Sequence, residues 1–479
     1  MAGTPDPRRW KALGLICTAV FMTVLDIAIV NVALPSIGTD LHFSADSLQW
    51  VITAYAITFG GFLLLGGRAA DLLGRRRVFM VGLAIFTGAS LACGLATSEA
   101  FLIVARGVQG FGAAVVTPAA LSIVSTTFEE GAERNKALGI WGAVAGSGAA
   151  VGVLLGGVLT EYLGWEWIFY VNVPVGAVCL ALCPFFVHES RLETDVRHYD
   201  ASGAVTITSS LILLVFAVSK APDVGWGSAR TIGLLVGSAV LAVAFLVIET
   251  RAPQPLMPLN IFRVRVLAGA NTVGFLLGGA IFGSFFVLTQ YMQLILGYSA
   301  LKAGAAFLAT AGTSVGAAVV AQALVTKVGV RRILAIGMAL LAVGQLLYTR
   351  FPVNGNYWVD LFPGFVITGI GIGCAFVPVS IAALAGVKPD QAGLASGLIN
   401  TSQQIGGAIG TAVISSVAIS SLSFQKHLTP AQAATVVDEY SRGFWVGFAI
   451  ALAGVVATLA LIREKDIPAE QLEEARAPA

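Results

Sequence analysis

Apolar stretches of about twenty residues, separated by short polar breaks, follow one another from the first dozen residues to position 463. A helix needs ~20 apolar residues to cross the hydrocarbon core of a bilayer. The pattern therefore predicts fourteen membrane-spanning helices, at 11–36, 49–70, 78–97, 101–125, 136–160, 165–187, 200–219, 230–249, 266–290, 302–325, 331–350, 357–384, 395–420 and 442–463. The breaks are short, so successive helices become antiparallel neighbours in bundles. A membrane β-barrel would instead show alternating stretches of about ten residues, a pattern absent from this chain.

Composition strengthens this picture. Hydrophobic residues make up 57% of the 479 positions and charged residues 11%, with a mean hydropathy of +0.86, whereas a soluble domain carries about 25% charge. The 55 glycines suit helices that approach closely in lipid, where small residues make the contact. The net charge of +2 says little, but its sidedness says much: of the 28 Lys and Arg, 21 fall on the N-terminal side of the membrane, 6 on the other, and Arg106 inside a span. The positive-inside rule then places both termini in the cytoplasm and predicts a multi-pass protein of the bacterial inner (plasma) membrane. The first apolar segment is too long for a cleaved signal and contains Asp26 and Asn31, so it reads as a retained span.

Several chemistries are disfavoured. All five cysteines lie in apolar spans with no Cys-x-x-Cys or Cys/His cluster, which argues against a metal or a disulfide framework. No Walker A, His-Glu-x-x-His or Gly-x-Ser-x-Gly motif occurs. The expectation is a non-enzymatic protein without a cofactor, working on a small molecule across the bilayer and not on nucleic acid. A membrane enzyme or sensor would need a catalytic constellation or a soluble domain.

The loop beginning Gly67, with Asp71, Gly74, Arg75, Arg76 and Arg77, has a counterpart in Gln322–Arg332, where Gly329 precedes Arg331 and Arg332. Pro118 likewise matches Pro378, again about 255–260 residues on. A parallel repeat follows, with the expected division 1–190 (N-terminal six-helix bundle), 191–255 (linker carrying two extra spans), 256–463 (C-terminal six-helix bundle) and 464–479 (cytoplasmic tail). Transporters built from repeats bind substrate at the midplane between them.

Individual residues point the same way. Asp26 sits mid-way along an apolar helix; such an acid is functional by default, facing a cavity or a partner. A carboxylate there can exchange a proton for a cationic substrate, one binding event excluding the other. Arg106 cannot shed its charge and needs acceptors or water. Its repeat counterpart lies near Val366, which is apolar, so a proton path would belong to the N-terminal half. Gly148, Gly152 and Gly156, with Gly157, form a smooth stripe assigned to packing and hinge motion between the bundles. Asn31, Tyr55, Gln109, Gln293, Asn400 and Gln404 are candidates to line the cavity, although such residues also serve as interhelical glue. The charged segment 188–200 reads as a linker without chemistry.

These residues carry a family resemblance over nearly the whole chain. Leu25–Pro35, the 67–77 loop, Arg106–Gly112, the 148–157 glycines, Trp165–Pro174 and Gly397–Gln404 resemble, in order, the motifs of the major facilitator superfamily and, within it, of the 14-helix drug:proton antiporters. Two positions depart from the pattern: Val153 stands where the antiporter motif usually has proline, and Leu72 where a basic residue usually follows the aspartate. The resemblance implies an all-α fold of two six-helix bundles plus two inserted central helices. It implies coupling through Asp26 and Arg106, and a gate at Gly67, Asp71, Gly74, Arg75 and Arg76 that latches the bundles. It further implies a monomer that exports small lipophilic compounds by alternating access, driven by the proton gradient. A uniporter or symporter of a small polar solute is the alternative within transport.

Overall fold

A computed structural model describes residues 7–43, 45–48, 50–128, 132–190, 200–252, 255, 259–387, 392–418 and 428–464. The described residues form helices at all fourteen expected places: α1 (Arg9–Asp40), α2 (Trp50–Leu73), α3 (Arg75–Gly94), α4 (Glu99–Thr127), α5 (Ala132–Tyr162), α6 (Asn172–Phe186), α7 (Ala201–Val224), α8 (Ala229–Arg251), α9 (Arg265–Gln290), α10 (Leu308–Val328), α11 (Val330–Tyr348), α12 (Phe362–Leu384), α13 (Ala392–Ala418) and α14 (Pro430–Leu461). A one-turn helix, Trp167–Tyr170, precedes α6, and Ala300–Ala306 precedes α10. Wide π turns at Tyr291–Ile295 and Tyr357–Leu361 follow α9 and precede α12.

Ten helices among the described residues are long and apolar enough to cross a membrane, and shorter apolar stretches lie in α2, α5 and α7. The remaining helix, α13, is diluted by the polar run from Asn400 to Gln404. The outward faces are apolar: Val104 and Val319 are 67% exposed and Val359 is 73% exposed, a surface that suits lipid rather than water.

Helix pairing in the second half repeats that of the first. In the first half α2 and α3 pack on α4, α1 on α5, and α6 on α1 and α3. In the second half α10 and α11 pack on α12, α9 on α13, and α14 on α9 and α11. The halves meet reciprocally, α2 against α13 and α5 against α10 with its preceding Ala300–Ala306 turn. The α7–α8 hairpin lies along the first of these seams, where α7 touches both α2 and α13 and Thr208 Oγ1 donates to the Gly61 carbonyl at 2.6 Å. Ser210 and Ser238 hold the hairpin together, each hydroxyl donating to the other's carbonyl at 2.8 Å.

The glycine stripe of α5 is placed differently from the sequence reading. Gly148, Gly152 and Gly156 face α1 within their own half: a Cβ on Gly152 would lie 2.8 Å from the Leu25 carbonyl, and one on Gly156 would lie 2.9 Å from the Ile29 carbonyl. Only Gly157 of the four faces the other half, where a Cβ would lie 2.6 Å from Leu301 Cα. At four-residue spacing the first three share one helix face, and Gly157 turns about 100° away from it. The stripe thus lets α5 lie close against α1, the helix that carries Asp26.

Gly74 and Gly329 open α3 and α11 at equivalent points of the repeat, with φ of 110° and 97°. Side chains other than glycine rarely adopt such angles. Each also lies against a carboxylate, Glu189 after α6 and Glu464 after α14.

Candidate functional site

Asp26 and Arg106 come together in the middle of the N-terminal half. Asp26 is fully buried and Arg106 is 1% exposed, and their Oδ2 and Nη1 are 2.6 Å apart. Five helices meet here: α1 brings Asp26, α3 Ser90, α4 both Arg106 and Gln109, α6 Asn172, and α2 the Val51 carbonyl and the Tyr55 ring. Gln109, one turn after Arg106 on α4, donates from Nε2 to Asp26 Oδ1 at 2.8 Å and accepts from Arg106 Nη1 at 2.6 Å. Asn172, first residue of α6, donates to Asp26 Oδ1 at 2.9 Å. Ser90 of α3 accepts from Gln109 at 2.9 Å and from Asn172 at 3.0 Å, and donates to the Phe169 carbonyl. Arg106 Nε donates to the Val51 carbonyl of α2 at 3.0 Å. The Tyr55 ring lies 4.4 Å from the guanidinium carbon and the Phe169 ring 5.7 Å from it, a cation–π arrangement.

Two buried opposite charges are tolerable only when their geometry is close and their remaining donors and acceptors are met. Here both carboxylate oxygens are occupied, one by Arg106 and the other by Gln109 and Asn172. In this arrangement the carboxylate is bonded within the N-terminal half, to Arg106, Gln109 and Asn172.

The other cavity candidates divide. Tyr55, 3% exposed, and Gln109, fully buried, belong to the shell of the ion pair and not to a cavity wall. Asn31 is half-buried and donates to the Ile27 carbonyl of its own helix at 2.9 Å. Gln293, in the π turn after α9, donates to the Val32 carbonyl of α1 at 2.9 Å, tying one half to the other. Asn400 and Gln404 are half-buried on α13.

Of the gate residues, Asp71 lies near the end of α2, its side chain outside the described residues. Gly67 packs against Pro118 of α4. The partners described for the arginines lie in the same half: Arg75 donates to Ser122 Oγ at 2.6 Å and, through its backbone N–H, to the Ser190 carbonyl at 2.9 Å. Glu189 accepts from the backbone N–H groups of Arg76 at 3.1 Å and Arg77 at 3.2 Å, and pairs with both guanidinium groups. A carboxylate at a helix N-terminus meets unsatisfied N–H groups and the positive end of the helix dipole. Segment 188–200, read as chemically idle, thus supplies the cap of α3. The signal was present in sequence, an acid just beyond an apolar span in a chain with a basic triplet. Ser90 and Asn172 were also missed as site residues; a lone serine or asparagine in an apolar span carries no direction until its partner is known. Gly74→Ala is expected to lower the melting temperature of the detergent-solubilised protein, because its Cβ would sit 2.8 Å from Glu189 Oε1 at a positive φ. Melting unchanged from wild type would count against this tight cap.

Buried charges inside a repeated helical membrane fold with two abutting halves suit a membrane transporter. The Major Facilitator Superfamily model matches residues 16–411, and the chain belongs to that superfamily. It is 40% identical over 460 residues to a puromycin resistance protein of Streptomyces alboniger, covering 95% of this chain and 91% of that one. It is 42% identical over 410 residues to a cephamycin export protein of Amycolatopsis lactamdurans, covering 85% and 84%. Among solved structures, a bacterial homologue of the human lysosomal transporter Spinster, in an inward-facing and unoccupied conformation, superposes with a TM-score of 0.65 at 16% identity, covering 97% of this chain and 99% of that one.

Proposed function

We propose that this protein is a proton-coupled exporter, an antiporter that moves small lipophilic compounds such as drugs, dyes or antibiotics out of a bacterial cell by alternating access. The observation that carries the reading is the Asp26–Arg106 pair, buried in one half and joined by hydrogen bonds to four helices besides α1. The export and resistance names of the relatives support the direction and the class of cargo. The protein works as a monomer in the plasma membrane with both termini cytoplasmic, and the proton gradient is its energy source.

The pair suits a switch because it has two states. With Asp26 ionised, the cluster is neutral and α1 is held to α4 and α6. Protonation removes the negative charge, and Arg106 then keeps the Val51 carbonyl, the Gln109 amide oxygen and the aromatic faces. Such a change alters the hold on α1. That same helix presents Val32 to Gln293 of the other half about 9 Å further along. A change at Asp26 can therefore bias the contact between the halves, which is what alternating access requires. The motif loop contributes as a latch on the cytoplasmic side, with Arg75 and Arg76 positioned by Ser190 and Glu189.

The test uses purified protein in liposomes containing a pH-sensitive dye. With an imposed pH gradient, lipophilic cations and antibiotics, puromycin among them, are expected to trigger proton movement in wild type and none in Asp26→Asn. Substrate transport that persists unchanged in the variant, or that needs no gradient, would remove Asp26 from the mechanism.

A further inference from the structure

Where α14 ends, the starts of α9 and α11 lie against it and bring arginines together. Arg265, first residue of α9, donates from Nη2 to the Ala460 carbonyl at 3.5 Å, and Arg331 of α11 donates from Nη2 to the Leu459 carbonyl. Arg332 follows on α11, and Arg463 lies two residues past the end of α14. Cations at a helix C-terminus have an ordinary role, bonding the last carbonyls and meeting the negative end of the dipole. That role uses one donor each of Arg265 and Arg331, whereas a guanidinium has five. Arg331 Nε is buried without a partner. Arg332 and Arg463 are exposed, with no hydrogen bond or ion pair among the described residues. The matching end of the first half is balanced differently: Arg76 donates to the Val187 carbonyl of α6's end at 3.3 Å, and Glu189 pairs with Arg76 and Arg77. In the second half Glu464 lies against Gly329, yet no ion pair joins it to an arginine among the described residues.

The surface beside these cations is apolar. On α11, Ile336 and Val343 are exposed and share the face of Arg332. On α14, Leu452, Val456 and Leu459 are exposed along one face, and Arg463 follows four residues after Leu459. The two helices pack side by side. A positive charge therefore stands at the end of each of two neighbouring apolar strips. A soluble phosphate or an acidic peptide would use the charges alone. A phospholipid uses both parts, its acyl chains along the strips and its headgroup on the cations, as basic pockets between membrane helices do.

We infer that the α9–α11–α14 end is a binding site for an anionic phospholipid of the phosphatidylglycerol class. Arg331, Arg332 and Arg463 hold its phosphodiester, and the apolar strips of α11 and α14 receive its acyl chains. A guanidinium suits this task because its planar fork matches phosphate oxygens in pairs. The leaflet concerned is the one facing the chain termini, the inner one in the orientation proposed above; the site does not depend on antiport. Arginines that merely fix topology would attract anionic lipid to every basic loop alike, whereas a built site depends on its own two exposed arginines and not on others. The chain also carries a rival occupant. Residues 465–479 lie outside the described residues and include Asp466, Glu470, Glu473 and Glu474.

The experiment titrates the full-length protein in a neutral detergent with dioleoylphosphatidylglycerol and follows its melting temperature, since a ligand of the folded state raises it. Wild type should melt higher with this lipid and not with dioleoylphosphatidylcholine, which has the same chains and no net charge. In the double variant Arg332→Gln/Arg463→Gln the lipid concentration giving half the shift should rise about thirtyfold, roughly fivefold for each basic residue at the bilayer surface. Arg77→Gln/Arg251→Gln, which removes two exposed arginines elsewhere, should keep the wild-type midpoint, as should Glu470→Gln/Glu473→Gln/Glu474→Gln. An equal shift with phosphatidylcholine overturns the inference on wild type alone, whatever the variants do. So does the same midpoint in both arginine double variants, which would mean general attraction and no site. A comparable shift with glycerol 3-phosphate would mean a phosphate site without acyl chains. A shift that appears only in the glutamine-substituted tail would mean that the tail fills the site, and either result overturns the lipid assignment.

Discussion

Asp26→Leu is expected to destabilise the protein by about 3–5 kcal/mol, the usual consequence of leaving one buried charge without its partner. Arg106→Leu should do the same from the other side. The double variant should melt above both single variants, because the uncompensated charge is gone and the polar groups left behind retain partners: Gln109 and Asn172 still reach Ser90. Apparent melting temperatures of the three proteins in one detergent supply the double-mutant cycle that apportions the pair. A double variant that melts at or below the less stable single would mean that the pair acts through packing and not through charge. All three should lose proton-coupled export, which separates holding the fold from running the cycle. The cation–π contact of Arg106 with Tyr55 does not rescue Asp26→Leu, since such contacts contribute about 2 kcal/mol when desolvated, less than the expected loss.

How much of this was legible in sequence follows from the range of each interaction. The helices themselves were, because lipid imposes a length and an apolarity that can be read residue by residue. Asp26 and Arg106 were also legible one at a time, since a charge in a span is costly enough to be conspicuous. Their pairing was not: residues 80 positions apart meet only through the packing of α1 against α4. The same limit explains Gln109 and Tyr55, which periodicity places on helices but not on a particular neighbour. It also explains the glycine stripe. Four-residue spacing shows that Gly148, Gly152 and Gly156 share a face, yet not which helix lies against that face. The cap of α3 by Glu189 escaped for another reason, since polar segments outside spans carry no periodic signal at all. Once the halves are superposed in pairing scheme, the repeat becomes more informative than it was as a sequence match. It places Glu464 where Glu189 stands, and it sets Gly406 and Gly410 of α13 against α9 as Gly148 and Gly152 of α5 are set against α1.

That last correspondence carries a large expected effect. α9 and α13 approach so closely that a Cβ on Gly406 would collide with the Phe275 carbonyl, and one on Gly410 with Gly279 Cα. Both obstacles are backbone, so no rotamer change relieves them. Gly406→Ala must therefore push the helices apart, and overpacking of this kind costs about 1–3 kcal/mol, occasionally more. Gly397 lies on the same helix with nothing within 4 Å of its added Cβ. There the substitution to alanine removes only the conformational liability of glycine in a helix and should stabilise by roughly 0.5–1 kcal/mol. One residue change on one helix is thus expected to act with opposite sign at two positions nine residues apart. Melting temperature and the monodisperse fraction after detergent extraction report both. If Gly406→Ala matches Gly397→Ala in melting, the α9–α13 contact is not the tight backbone-to-backbone seam described above. If it melts lower but extracts as a monodisperse protein, substrate-triggered proton movement in dye-loaded liposomes then asks whether helix separation in the C-terminal half changes transport. Proton movement should persist, since Asp26 and its partners all lie on the other half.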